Sequence, residues 1–373
     1  MKKQIIILLL FSINVSAQNP HFPKVKISVP CNQEFLDNYK GKWLIPDKTL
    51  SNRPNNNYSQ EAMKRINEIH ELVRQIYPEP MGSDALRNNT YTINDFAYTI
   101  KYVTQDDRTQ KEYVKRNQVE GWRYGINLFA WFCSSENKNE IWNGYPEAGG
   151  GTAITVDANY LPVLTGEFFD DDIWTIDGRP IKAKMSVIGN WKGYDVMATN
   201  GGYYADQNSE WFILITRKDM LPYIPVTRKQ YLDRAITYIT KFYNQLIALN
   251  EKIPDKTERD ENNKRNINAK DVAVKNLQNE LQKTTNEGLL SAPAIVRPDA
   301  HFQTEGPIFL SESDGGIILT TENPNYFRKD LPVYIPQLFV LSWSWGTKKW
   351  ETDFRKEIEE NFPVEKLQAM IDK

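Results

Sequence analysis

The sequence predicts an α+β protein in which an antiparallel β-sheet packs with helices and carries a long αα-hairpin. Three observations support this fold class. Short runs of β-forming residues follow one another across residues 91–217, punctuated by glycine turns and without helical periodicity between them, as in antiparallel sheets. A helical spacing of apolar residues precedes this block at residues 59–76. Two further helical stretches follow it, separated by a single proline break.

The chain begins with the three parts of a secretory signal peptide. Two lysines follow Met1, and residues 5–11 are apolar. Val15 and Ala17 are small residues at the two positions that a signal peptidase reads. The apolar run is about half of the roughly 20 residues that a membrane span needs. We therefore expect cleavage after Ala17, and a mature protein that is periplasmic or secreted and does not span a membrane.

Residues 18–58 are rich in asparagine, proline and lysine, and we expect an extended lead-in with little regular structure. Residues 59–226 are expected to form an N-terminal helix and the antiparallel sheet. Within this segment the helix begins at Ser59, shows apolar residues every three or four positions, and ends before Pro78.

Residues 227–286 are expected to form the helical hairpin. Thr227 is placed to cap the first helix, whose apolar stripe runs from Tyr231 to Ile253 before a proline breaks it. In the second helix Ile267, Val274 and Leu281 recur every seven positions, with Leu277 between them. This spacing predicts a seam against the first helix.

Residues 287–373 are expected to supply C-terminal strands and helices that pack back on the main body. The predicted strands lie at 307–310, 316–321 and 333–345. The predicted helices are 352–361 and 363–371, the latter with Pro363 near its start.

The two cysteines of the chain, Cys31 and Cys133, have two interpretations. In an oxidising compartment they can form one disulfide, which would close a loop of about 100 residues. Alternatively, Cys133 is a small buried apolar residue that follows the aromatic run 129–132. The sequence leaves both interpretations open.

Composition and motifs give no recognisable chemistry. The chain carries 46 Lys and Arg against 48 Asp and Glu, so we expect no nucleic-acid partner. It has only 3 histidines, and position 74, four residues after His70, is an arginine, so no His-based metal site is predicted. No phosphate-binding loop, serine-esterase motif or cofactor-binding motif occurs. A glycosidase carboxylate pair needs only to meet in space, so the sequence cannot identify one.

The 10 tryptophans suggest a sugar-binding platform as one alternative. Trp343 and Trp345 alternate along a predicted strand, so both side chains lie on the same face. That face is either an exposed platform for a glycan or a wall of the core. The sequence favours the core.

Two segments resemble uncharacterised exported proteins of Bacteroidota. They are Trp211–Leu232, a strand followed by a turn and a helix, and Asn323–Lys373 at the C-terminus. The resemblance implies export and a shared fold, and no activity. Within the first segment, Arg228 and Lys229 lie in the first helical turn, where the helix dipole disfavours cations. They are candidates for contact with an acidic partner or ligand, the alternative being an ordinary exposed basic pair.

The function predicted from the sequence is that of an exported, non-catalytic binding or structural protein of the cell envelope, with an envelope glycan or a protein as partner. One alternative is a hydrolase that acts on an envelope or dietary glycan through a carboxylate pair. A second is a chaperone-like protein that uses the hairpin. Two acids in a deep cleft would favour the hydrolase, and an exposed apolar stripe on the hairpin would favour protein partners.

Overall fold

The computed structural model describes residues 24–44, 60–87, 91–93, 98–102, 111–115, 119–144, 151–161, 164–165, 173–198, 209–297 and 306–373. The predicted signal peptide, residues 1–17, lies outside the described residues. The α+β class is confirmed, since the described chain forms antiparallel sheets together with helices that include a long packed pair.

The helices are α1 (Gln33–Asp37), α2 (Gln60–Ile76), α3 (Arg228–Asn250), α4 (Lys256–Asn286), α5 (Lys349–Asn361) and α6 (Val364–Met370). The strands are β1 (Lys24–Lys26), β2 (Trp43–Leu44), β3 (Ser83–Leu86), β4 (Tyr91–Ile93), β5 (Tyr98–Tyr102), β6 (Lys111–Lys115), β7 (Gly121–Cys133), β8 (Glu140–Asn143), β9 (Ala153–Ala158), β10 (Leu164–Thr165), β11 (Thr175–Ile176), β12 (Arg179–Lys184), β13 (Val187–Trp191), β14 (Tyr194–Ala198), β15 (Ser209–Ile215), β16 (Tyr223–Pro225), β17 (Ile295–Val296), β18 (Ile317–Glu322) and β19 (Phe339–Trp345). None of the helices among the described residues is both long and apolar enough to cross a membrane.

The main sheet contains 11 strands among the described residues, in the order β1-β8-β7-β9-β19-β15-β14-β13. In addition, β3 and β4 pair with β7, and β2 pairs with β3. Its pairings are antiparallel except for β2 with β3. The C-terminal strand β19 lies between β9 and β15, so the end of the chain completes the centre of the sheet. The predicted return of the C-terminal segment to the main body therefore has a structural basis.

One face of the main sheet forms the largest core. Side chains from β7, β9, β15 and β19 pack there against α2, α5 and α6. In α2 the buried residues Ala62, Ile66, Ile69 and Val73 follow the predicted spacing of three to four. Phe354 and Ile358 of α5 are fully buried on the same face.

A second sheet supports the hairpin. It runs in the order β10-β12-β18-β16, with β11 beside β12 and β17 beside β18. Tyr231, Leu232 and Ala235 of α3 pack with side chains of this sheet, including Leu319. Thr227 caps α3 as predicted, through a reciprocal pair of hydrogen bonds with Gln230.

The structure confirms most of the expected seam of the hairpin and corrects one residue. Leu277 is buried, and Val274 and Leu281 are partly buried beside it in the same apolar cluster. Ile267 is 41% exposed and does not belong to the seam. Ala273 and Thr284 are also buried in α4, and the apolar pattern does not include them.

Three further segments differ from expectation. The lead-in is partly regular, because β1, α1 and β2 form within residues 24–44 and attach to the main sheet. Residues 307–310 form only an isolated bridge between Phe309 and Val296. Residues 333–338 precede β19 without strand pairing, because prolines at 332 and 336 interrupt the extended run.

The two cysteines are bonded in the structure, so the first interpretation of the pair is the one observed. The Cα atoms of Cys31 and Cys133 are 5.6 Å apart. The bond joins the lead-in to the end of β7, beside a small cluster formed by Leu36, Trp131 and Ile141.

Candidate functional site

The face of the main sheet opposite the helices carries a set of polar residues, which we call the polar face. The register places them in facing rows on four adjacent strands. They are Arg123 and Asn127 of β7, Thr155 and Asp157 of β9, Ser342 and Ser344 of β19, and Glu210 of β15. Side chains of an antiparallel sheet alternate between faces, and a polar outer face is ordinary when water covers it. Here Thr155, Asp157 and Ser342 are buried, and buried polar groups call for an explanation.

An ion pair lies at one end of the polar face. Arg123 donates to both carboxylate oxygens of Asp157, through Nε to Oδ1 and through Nη2 to Oδ2, the latter at 2.6 Å. Asp157 is fully buried, and this burial raises the pKa of its carboxyl while the guanidinium opposes the rise. Removing Arg123 would leave the buried charge of Asp157 without this partner.

A hydrogen-bond chain runs across the middle of the polar face to Glu210. The Thr155 and Ser342 hydroxyl oxygens are 2.5 Å apart, and Ser342 Oγ donates to Glu210 Oε1 at 3.2 Å. Burial raises the pKa of Glu210, and the Asp157 charge adds to the rise. The Ser342 hydrogen bond and the Arg123 charge act in the opposite direction.

Glu210, which is partly buried, receives fewer hydrogen bonds from the described residues than the buried Asp84. Asp84 accepts hydrogen bonds from Lys42 N, Trp131 Nε1 and Asn143 Nδ2, at 2.8 to 3.1 Å, and therefore ties the lead-in to the sheet. Glu210 receives one hydrogen bond from the described residues, that of Ser342. A carboxylate offers about four acceptor sites, so Glu210 retains acceptor capacity that a ligand can use.

The structure assigns the predicted tryptophans to the core and its margin. Trp343 is buried, and its indole Nε1 donates to Glu359 Oε1 at 3.2 Å. Trp345 is partly buried, and the Arg355 guanidinium carbon lies 4.0 Å from its ring centroid. The same guanidinium stacks on Trp211 at 4.5 Å. Since Arg355 occupies the ring faces, these tryptophans do not form an open sugar-stacking platform.

The predicted basic pair at the start of α3 is divided between two environments. Lys229 is exposed and donates to Asp233 Oδ2 at 2.6 Å, an ordinary pair one turn apart. The Arg228 guanidinium lies 4.6 Å from the Phe309 ring centroid. The backbone amides of Arg228 and Lys229 donate to carbonyls of Ala292 and Leu290. The chain itself thus satisfies these two backbone N–H groups of the helix terminus.

Two surface depressions lie away from the polar face. One, of about 600 Å³, is bordered by lead-in residues from Val29 to Lys40, and another, of about 270 Å³, lies on the outer side of α5. Among the described residues no group of three or more histidine, cysteine, aspartate or glutamate side chains could hold a metal ion.

Comparison with known proteins gives no relative. No family model matches the sequence, and no curated protein or solved structure is similar to it. The functional argument therefore depends on the geometry of the chain itself.

The polar face is the feature that sequence reasoning missed. Its signal was present in the alternation of β9, where Thr155 and Asp157 interleave with Ile154, Val156 and Ala158. Such alternation usually indicates a solvated face, and the sequence does not show that the face is covered. Nor does the sequence pair Glu210 with Ser342, which lies 132 residues further along the chain.

Proposed function

We propose that this protein is an exported, non-catalytic binding protein whose polar face holds a hydroxyl-rich ligand, a glycan fragment of the envelope or of the surroundings. The observation that carries the proposal is Glu210, a largely desolvated carboxyl group with a single hydrogen-bond donor among the described residues. Export, with cleavage after Ala17, is part of the same proposal and is supported by the signal-like N-terminus.

The chemistry of the polar face favours a sugar over an ion. Glu210 accepts hydrogen bonds, whereas Ser342, Thr155 and Ser344 can both donate and accept. Sugar hydroxyls also donate and accept, so they can complete such a network without a net charge. The polar face contains one cation and two acids, and the cation is already bound to Asp157, which argues against an anionic ligand.

The burial of Asp157, the second acid of the polar face, favours a binding function over hydrolysis. A glycosidase needs one carboxyl as acid and a second as nucleophile or base at the sugar. Asp157 is fully buried and paired with Arg123 through both of its oxygens, so a substrate does not reach it in this conformation. The hydrolase with Glu210 and Asp157 as its pair is the second candidate, favoured by the electrostatic coupling of the two acids.

The test is a binding titration of the chain from Gln18 onward against chito-, cello-, xylo- and manno-oligosaccharides, with thermal shift and calorimetry as readouts. We expect one class to raise the melting temperature, and Glu210→Gln to weaken its binding by about tenfold or more. Glu312→Gln, in an exposed turn, is the matched control. The proposal would be rejected if Glu210→Gln left the affinity for the oligosaccharide unchanged, or if no oligosaccharide raised the melting temperature. Release of reducing ends by the unmodified chain and not by Glu210→Gln would establish the hydrolase instead.

A further inference from the structure

The outer part of the helical hairpin, residues 240–272, has the features of an interaction surface. We call this segment the arm. The last buried residue of α3 is Ile239 and the first of α4 is Ala273, and no residue between them is buried. At 1.5 Å per helical residue, α3 continues for about 17 Å past Ile239, and α4 runs for about 26 Å before Ala273. Tyr243 packs against the edge of the core, and the rest of the arm extends beyond it.

The arm exposes apolar side chains that the two helices do not cover for each other. Leu249 is 54% exposed, Val272 50% and Ile267 41%. Two hydrogen bonds join the helices here, with Asn250 donating to Asn263 at 2.8 Å and Lys270 to Asn244 at 3.2 Å. Partner helices packed against the exposed apolar side chains would remove further apolar area from water.

The charges of the arm indicate which partner fits. Apart from Lys241, the arm carries six cations (Lys252, Lys256, Arg259, Lys264, Arg265 and Lys270) and six acids (Glu251, Asp255, Glu258, Asp260, Glu261 and Asp271). Among the described residues none of these twelve forms an ion pair with another side chain. An interleaved, balanced set of charges is complementary to itself, whereas a strongly acidic or basic partner would meet repulsion as often as attraction.

We propose that the arm is a dimerisation surface, in which the arms of two copies of this chain pack into a four-helix bundle around a two-fold axis. In such an isologous contact every cation of one copy can meet an acid of the other, and Leu249 and Val272 become covered. The length of the arm allows the two hairpins to pack beside each other outside the globular body. This inference is independent of the ligand assigned to the polar face.

The experiment measures the mass of the chain from Gln18 onward by sedimentation equilibrium, from about 1 to about 200 µM. We expect a monomer–dimer equilibrium that high salt weakens. Leu249→Glu and Val272→Glu should each weaken dimerisation by about tenfold or more. Leu221→Glu is the matched control, because Leu221 is equally exposed at 50% but lies outside the arm.

The replaced residues are exposed, so all three variants should keep the circular dichroism of the unmodified chain. A monomer at every concentration would overturn the proposal. So would a dimer that withstands both arm substitutions, or one that Leu221→Glu weakens equally, since its interface would then lie elsewhere.

Discussion

Removal of the bond between Cys31 and Cys133 is expected to destabilise the protein by several kcal/mol. The two residues are 102 positions apart. In the chain-entropy model, cross-linking a loop of about 100 residues contributes about 4.7 kcal/mol at 25 °C, by restricting the unfolded chain. Typical domains have total stabilities of about 5 to 15 kcal/mol, so this bond would account for a large share.

The native contacts decide how much of this figure will be observed. The lead-in is also held without the bond, because Lys42 N donates to Asp84 Oδ1 at 2.8 Å and Gly41 N to Pro80 O at 2.8 Å. These contacts keep the lead-in docked in the native state, so loss of the bond acts mainly on the unfolded chain. We therefore expect Cys31→Ala with Cys133→Ala to lower the free energy of unfolding by about 3 to 5 kcal/mol.

Urea titration at equilibrium, followed by tryptophan fluorescence, measures this loss. A thiol reductant should destabilise the unmodified chain by a similar amount and leave the double alanine variant unchanged, which serves as the control. A loss below about 1 kcal/mol would refute the reasoning. It would mean that the lead-in unfolds separately and that its attachment does not constrain the main body.

Three further predictions concern single side chains. Burial raises the folded-state pKa of Glu210, so its charge destabilises the fold as pH increases. Glu210→Gln should therefore stabilise the chain more at about pH 8 than at about pH 4 in denaturant titrations. An equal effect at the two pH values would contradict this prediction. Burial, and next the charge of Arg87, lower the pKa of His70 to about 4, so stability that is full above its unfolded value of 6.5 should decline as pH falls towards 4. His70→Gln should flatten that decline in thermal melts, and an unaltered pH profile would exclude His70 as its cause. In α3, Ile239→Ala should lower the free energy of unfolding by about 2 to 5 kcal/mol because Ile239 is fully buried, and Phe242→Ala should lower it less because that ring is only partly buried. Lys275→Ala in α4 should lower it by at most about 0.5 kcal/mol. The reverse order of the three variants in urea titrations would contradict the hairpin packing.

The parts of the fold that the sequence predicted are those with a local signal. Thr227 and Gln230 form a capping box three residues apart, and the spacing of apolar residues in α2 matches its buried face. Both features depend on residues within a turn or two of each other. The chain has only 2 cysteines, so Cys31 with Cys133 is the one intramolecular disulfide that the sequence allows, and the structure contains it.

The predictions that were wrong concern contacts between residues that are distant in sequence. The predicted seam of α4 includes Ile267, which is 41% exposed, and omits Ala273, which is buried. A polar helix offers so few apolar residues that several stripes fit its pattern equally well. The stripe that is buried depends on the angle at which α3 and the second sheet meet the helix, which no local pattern reports.

The polar face shows the same limit for function, and it also shows why Glu210 is the residue to test first. Acids are abundant in this sequence, so composition cannot identify those that matter. The structure separates them by their donors: Asp84 has three, Asp157 has a bidentate arginine, and Glu210 has one from the described residues. A carboxyl group that is desolvated without full hydrogen bonding reduces stability. Glutamine has the same size and no charge, so Glu210→Gln would remove the desolvation penalty of the carboxylate. If Glu210→Gln is both more stable and weaker in ligand binding, the carboxyl group serves the ligand rather than the fold.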